Sequence, residues 1–394
     1  MISRTENIKD ALHQELLRIL TYWTQNTVDQ EYGGFVGRIN FQNEVVPQAS
    51  KGIILNTRIL WSFSAAAQYL ATDAYDEICH RAYHYLKDHF FDRQYGGVCW
   101  EVDFEGTVVN SRKQVYAQAF AIYALSEYYA HSQVAEAKNE ALALFSLLEE
   151  NARDRKAGGY LEALDREWQP LEDMRLSAKD LNAAKTMNTH LHILEAYTRL
   201  WQVRGDIHVK EALQQLIDLY NHRFLAEEGY YHLFFDEQWG LKSHNTSYGH
   251  DIESAWLVLE AARAVGDPSQ ISSCEATAAK IAARVLGEAI DEEGALLYEK
   301  DLCSGVVDKD RHWWPQVECM VGFAYHYQET NDLRYLTAIE NLWKYTEGNL
   351  LDIRSGEWYF RVDQQGKPYE EDVVSMWKAP YHTTRACMVI NRIL

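Results

Sequence analysis

YGGVCWEVD, residues 95–103, has two close counterparts in the chain, YGGFVGRIN at 32–40 and SGEWYFRVD at 355–363. In each, a glycine is followed six or seven residues later by Asp or Asn, with a short aromatic and β-branched run between. Six such pairs occur: Gly34/Asn40, Gly97/Asp103, Gly159/Asp165, Gly229/Asp236, Gly294/Asp301 and Gly356/Asp363. The glycines lie 63, 62, 70, 65 and 62 residues apart. A period held over a whole chain marks a repeat architecture. Each run, alternating and closed by a turn residue, predicts a small β-hairpin.

The rest of each repeat has helical spacing. IILNTRILWSFSAAAQYL (53–70), VYAQAFAIYALSEYYA (115–130) and MNTHLHILEAYTRLW (187–201) all place apolar residues at helical intervals. Short breaks such as Ala71-Thr72-Asp73, Gly205-Asp206, Gly266-Asp267-Pro268 and Asn331-Asp332 separate one helix from the next. Each repeat therefore holds a helix pair. One member is apolar all round, as in Ala117–Leu125 and Ser254–Ala264; the other is amphipathic, as in Val209–Tyr220 and Ser273–Leu286. Apolar helices belong inside and amphipathic ones outside. Six of each predict an all-α fold, an (α/α)6 barrel of twelve helices with short β-hairpins in the loops at one end. An open solenoid would need polar capping repeats. The terminal repeats are no more polar than the others, which favours closure.

Repeat continuity predicts a single domain over 1–394, with no linker or low-complexity stretch. MISRTENIKD at the N-terminus lacks an apolar core, and no run approaches 18 apolar residues, which disfavours a standard secretion signal and membrane spanning. Six scattered cysteines without CxxC spacing suit reduced thiols in the cytoplasm. A net charge of −20 argues against nucleic acid and anionic membranes as partners. The chain is also rich in aromatics, with 12 Trp and 25 Tyr. Those at element ends, including Trp239, Trp313, Trp314, Trp377 and the hairpin aromatics, suit a neutral amphipathic ligand such as a sugar.

Counting from each glycine to the first unexpected polar residues of the next apolar helix gives Arg58, Tyr116, Asn188 with His192, His250 with Glu253, Trp313 and Trp314 with Glu318, and His382. In a closed barrel these positions converge at the mouth that carries the hairpins. Three histidines at equivalent positions suit proton transfer near neutral pH, and an arginine facing them suits a developing oxyanion. That set fits proton abstraction alpha to a carbonyl. Glu253 and Glu318 could instead be the carboxylate pair of a glycoside hydrolase, or the ring could serve recognition alone. Buried arginines have partners, and Glu253 or Glu318 could be that of Arg58. His190 lies two residues from His192 and so on another helix face. His80 and His84 share a face of a charged outer helix, where solvation is the plainer reading. Neither HExxH nor repeated ExxH spacing occurs, and no phosphate-binding glycine loop is present. No metal site is expected.

The segments KGIILNTRILWSFSAA (51–66), MNTHLHILEAY (187–197), SYGHDIESAWLV (247–258), HWWPQVE (312–318) and MWKAPYHTTR (376–385) resemble the N-acylglucosamine 2-epimerase superfamily, and within it the cellobiose 2-epimerases most. The resemblance spans the chain, with the blocks in family order. It implies an (α/α)6 barrel that epimerises a sugar at C2 without a cofactor, with a small-molecule sugar as partner; a monomer or a homodimer is expected. It also implies roles. His250 and His382 resemble the acid/base pair at C2, and His192 the histidine that assists ring opening or proton relay. Arg58 resembles the arginine on the C1 and C2 oxygens. Glu253 and Glu318 resemble carboxylates that orient histidines and sugar, and Tyr116, Asp180, Asn188, Trp313, Trp314 and Trp377 sugar-contacting positions. One departure stands out. Cellobiose 2-epimerases usually carry Asn after the last histidine, where this chain has Thr383. A relative acting on free mannose and glucose would share nearly every other motif, and an aldose–ketose isomerase is a further alternative, although the WWPQ block (313–316) favours an epimerase over the mannose isomerases of the superfamily.

Overall fold

The computed structural model describes residues 4–394. Twelve α-helices lie among them. The odd-numbered ones form the outer ring: α1 (Arg4–Asn26), α3 (Asp76–Tyr85), α5 (Ala135–Leu147), α7 (Ile207–Leu219), α9 (Pro268–Glu288) and α11 (Leu333–Asn349). The even-numbered ones form the inner ring: α2 (Ile53–Leu70), α4 (Val115–Ser132), α6 (Met187–Arg204), α8 (Tyr248–Val265), α10 (Trp313–Thr330) and α12 (Tyr381–Ile393). Inner helices pack in sequence, and α12 returns to α2, so the ring is closed. Each outer helix lies on an inner partner, with α1 serving α12. The (α/α)6 expectation holds, and the apolar helices are the inner ones. In α4, every residue from Val115 to Tyr128 is buried.

The connectors at the far end of the barrel are short because five inner helices stop on one left-handed residue. These are Ala71, Gln133, Gly205, Gly266 and Asn331, with φ of 51°, 59°, 70°, 80° and 54°. This is the αL C-cap. In the last three connectors an Asp then caps the next outer helix: Asp206, Asp267 and Asp332 accept from its first backbone N–H groups.

At the mouth, each glycine-led run is more than one leg of a hairpin. It pairs backward with the chain leaving the outer helix (Phe91 with Val98, Arg153 with Tyr160) and forward across its Asp turn (Val102 with Val108, Leu164 with Pro170). It also pairs sideways with the strand entering the inner helix of the preceding repeat. Lys51–Gly52 meets Glu101–Val102, and Lys113–Gln114 meets Ala163–Leu164. The last such pairing joins Ile39 to Val374, where the Ile39 N–H donates to the Val374 carbonyl at 3.0 Å. The mouth is thus hydrogen-bonded all the way round. Glycine marks the period for a steric reason. Gly97 and Gly159 sit at φ +74° and +75°, where a Cβ would lie 2.6 and 2.7 Å from the indoles of Trp168 and Trp239. Trp239 is accordingly structural: its indole N–H donates to the Ala157 carbonyl at 2.8 Å.

Candidate active site

The first two turns of the inner helices supply two layers of side chains around the axis. The first turns hold Tyr116, Asn188, His250, Trp314 and His382. The sixth residues of five helices hold Arg58, Phe120, His192, Glu253 and Glu318, and the fifth of α12 is Arg385. The expected convergence at one mouth is therefore present.

The three imidazoles share a design. Nδ1 of His192 meets Glu195 at 3.0 Å, Nδ1 of His250 meets the Ser247 hydroxyl at 2.9 Å, and Nδ1 of His382 meets Glu318 at 2.7 Å. Among the described residues no hydrogen bond engages Nε2 of any of the three. The carboxylates on His192 and His382 can only accept, which places the proton on Nδ1 and leaves Nε2 with a lone pair, whereas the Ser247 hydroxyl on His250 can donate or accept. The Trp314 indole lies 4.6 Å from the His250 ring and 5.5 Å from that of His382, so one aromatic face links the two. His192 is wedged between Tyr116 (4.8 Å) and Phe120 (4.7 Å).

Burial sets the protonation states. It pushes His250 down to about 3, with His192 adding repulsion. It holds His382 well below the usual histidine value, with the Arg58 and Arg385 guanidiniums pushing the same way. Both rings are therefore neutral at pH 7 and available as bases. Glu253 is raised by burial and by Glu318 to about 7, and burial also raises Glu318.

Arg58 does not pair with either of those glutamates. Its guanidinium donates to the Tyr116 hydroxyl at 2.9 Å and to the Trp377 carbonyl at 3.0 Å, and lies over the rings of Phe120 and Tyr381. The cation that both glutamates face is Arg385, whose Nη2 donates to Glu253 at 2.6 Å and to Glu318 at 2.7 Å. Its Nη1 donates to Glu195 and to the Tyr381 hydroxyl. Glu253, Glu318 and His382 come close enough to hold an ion. A guanidinium already satisfies those carboxylates, so the donor set suits a metal poorly.

Beside His250 opens a cavity of about 630 Å³, lined by Asp180, Asn188, Glu162, Tyr298 and Glu299 among others. Asp180 sits in its wall, where its carboxylate accepts the Ser177 N–H at 2.8 Å. The two tryptophans part company. Trp314 faces the histidines, whereas Trp313 packs behind, 4.6 Å from Phe360 and edge-on to His382. The Trp377 ring rests on Trp100 and Tyr116. His190 is structural, as its position two residues from His192 implied: Nε2 accepts the Tyr160 N–H and Nδ1 meets the Thr186 carbonyl. His80 stays on the outer helix against Tyr128. Arg385, Glu195, Tyr381, Ser247 and Phe120 escaped the counting from each glycine. Two had a usable signal: Arg385 and Glu195 each lie three residues after a site histidine, on its face of the helix.

Comparison with known proteins agrees. The chain is 43% identical over 386 residues to a cellobiose 2-epimerase of Bacteroides fragilis, covering 97% of this chain and 98% of that protein. A cellobiose 2-epimerase of Ruminococcus albus is 38% identical, with the same coverage. The solved structure of the cellobiose 2-epimerase from Bacillus thermoamylovorans superposes with a TM-score of 0.93 at 36% identity, over 98% of this chain and all of that one. Residues 33–386 match the family described as N-acylglucosamine 2-epimerase (GlcNAc 2-epimerase), and with this active-site architecture the chain belongs to that family.

Proposed function

We propose that the chain is a cofactor-independent isomerase, a carbohydrate 2-epimerase that interconverts the glucose and mannose configurations at the reducing-end residue of a β-1,4 disaccharide such as cellobiose. One observation carries it: three imidazoles with Nδ1 tied and Nε2 unengaged, meeting at one mouth beside an arginine. Relatives named for this activity, matching almost end to end, support the substrate class. The cavity lies within the range of about 300–1,000 Å³ common for small-molecule sites.

The geometry supports the following chemistry. His192 assists opening of the sugar ring. One of His250 and His382 then takes the C2 proton on Nε2, and the electron pair forms a C1–C2 enediolate whose oxyanion Arg58 stabilises. Rotation about C2–C3 presents the other face, and the second imidazole returns a proton to C2. Glu318 orients His382, and Glu253 joins it on Arg385. Asn188, Asp180, Tyr116, Trp314 and Trp377 are the residues for sugar contact, with Trp313 supporting from behind. Hydrolysis by Glu253 and Glu318 is less well supported, because a guanidinium rather than a glycosidic bond lies between these buried carboxylates. No helix among the described residues is long and apolar enough to cross a membrane, and free cysteines fit a cytoplasmic protein.

Incubation with cellobiose, mannose and glucose in heavy water tests this reading. Deuterium at C2 is expected, fastest with cellobiose; new reducing ends would point to hydrolysis, and neither outcome to binding alone. His250→Ala and His382→Ala are each expected to abolish the exchange while melting near the parent temperature. Full exchange in either variant removes the acid/base assignment. EDTA is expected to leave the rate unchanged; loss restored by one added metal would overturn the cofactor-free mechanism.

A further inference from the structure

We infer that Glu195 is a positioning residue for ring opening: it holds His192 in one tautomer and stabilises the imidazolium formed on the way. The inference rests on the role given to His192 in the proposed function. In ring opening the O1 hydroxyl gives its proton to Nε2, the C1–O5 bond breaks toward O5, and C1=O1 forms. The imidazolium then returns the proton to O5, so the step is balanced. It needs a histidine that is comfortable as a cation for an instant.

The three site histidines differ in this respect. The Nδ1 partner of His250 is a neutral hydroxyl, whereas those of His192 and His382 are carboxylates. The His382 carboxylate, Glu318, shares Nη2 of Arg385 with Glu253. Glu195 is the one carboxylate on Nη1 of Arg385, which it shares with the Tyr381 hydroxyl; one of its oxygens accepts from both groups, and the other meets His192. Burial works against its charge, but Arg385 and His192 outweigh it and hold the carboxyl below its usual value. An ionised carboxylate fixed from three sides behind an imidazole is the arrangement that orients a catalytic histidine and supports its charged form.

The rest of α6 fits. Asn188, His192, Glu195, Arg199 and Gln202 recur at four- and three-residue steps, a polar stripe down one face of an inner helix. Arg199 is bound to Glu127 at 2.7 and 3.1 Å, so Glu195 does not need to satisfy it. With Tyr116 and Phe120 gripping the His192 ring, the imidazole has one orientation.

Glu195→Gln tests the assignment, with cellobiose carrying hydrogen or deuterium at C2 of the reducing-end glucose. The expected result is a fall in kcat of roughly 10- to 100-fold with KM nearly unchanged. The primary isotope effect should fall toward 1, because ring opening then limits the rate. In a His192→Ala background the same change should cost nothing further. Glu195→Asp, which keeps the charge for Arg385, should recover part of the rate, and it carries the same readouts if the amide variant fails to fold. A purely structural role predicts lowered melting with the isotope effect of the parent, or losses that add to those of His192→Ala; either result overturns the inference. If the parent puts no deuterium on C2, the proposed function itself fails, which is a separate outcome.

Discussion

Arg385 joins side chains from four inner helices, and its neighbours show why an arginine is needed. One planar group reaches three carboxyls from α6, α8 and α10 and the Tyr381 hydroxyl of its own helix. Three buried glutamates face Arg385, and Arg58, which lies over the same Tyr381 ring, adds a second positive charge nearby. Because Glu253 titrates near 7, it carries a proton part of the time at neutral pH, which lets the charges balance. Lysine offers a single point of charge and cannot span these partners. Arg385→Lys is expected to lower stability by about 3 kcal/mol, the cost of leaving buried charge unpaired, and to cut turnover by at least an order of magnitude. Unchanged melting and turnover would show that the hub is dispensable. The histidines, Arg58 and the glutamates could be found in the sequence because a repeat gives each polar residue an address. Arg385 carried the same signal, lying three residues after His382 as Glu253 does after His250, but the count was not extended to it, because whether a residue at that step faces the axis or a neighbour depends on packing.

At the scale of elements, the repeats are fastened by devices that alternation and periodicity do not reveal. The fourth inner-helix residue repeatedly reaches back to its own glycine-led run. Gln118 both accepts from and donates to Val98 at 2.8 Å, Gln316 does the same at Leu296, and His190 and Asp251 accept from Tyr160 and Tyr231. Just before five inner helices lies a buried cation paired with an acid: Lys51 with Asp29, Lys113 with Asp92, Lys185 with Asp154, Arg311 with Asp291 and Lys378 with Glu357. The helices themselves were readable, and α2 runs over the span its pattern indicates. The cation–acid pairs were not, since partners about twenty or thirty residues apart meet only once the run has turned. Gln118→Met would strand the buried Val98 amide and carbonyl, and is expected to cost about 2–3 kcal/mol, visible as a lower melting midpoint. Ala71→Gly should do the reverse. A left-handed alanine is strained by about 1 kcal/mol, so glycine there is expected to raise the midpoint; a fall would mean that Ala71 contributes packing greater than its strain.

For the whole molecule, the many buried titratable groups set a pH window. Burial lowers His190, His250 and His312 to about 4, 3 and 3. Unfolded histidines bind protons near 6.5, so stability falls as pH drops from there toward 3. Burial raises Asp251, Glu253, Glu299 and Glu162 to about 6, 7, 7 and 8. The stability these carboxyls contribute is complete below the unfolded value, about 4, and is lost as pH rises through 6–8. The two sets offset one another at about pH 4.5–6.5, where the melting midpoint is expected to be highest, declining on both sides. A midpoint climbing steadily to pH 9 would contradict the raised carboxyls.

Because Ile39 meets Val374 by the same pairing that links every other neighbouring repeat, and α1 completes the outer ring against α12, the architecture has no privileged first residue. A rearranged gene that fuses α12 to α1 through a flexible tether and opens the polypeptide at the Gly205–Asp206 connector should fold to the same ring. Its three histidines would then be read from the gene in the order 250, 382, 192 and still close on one sugar.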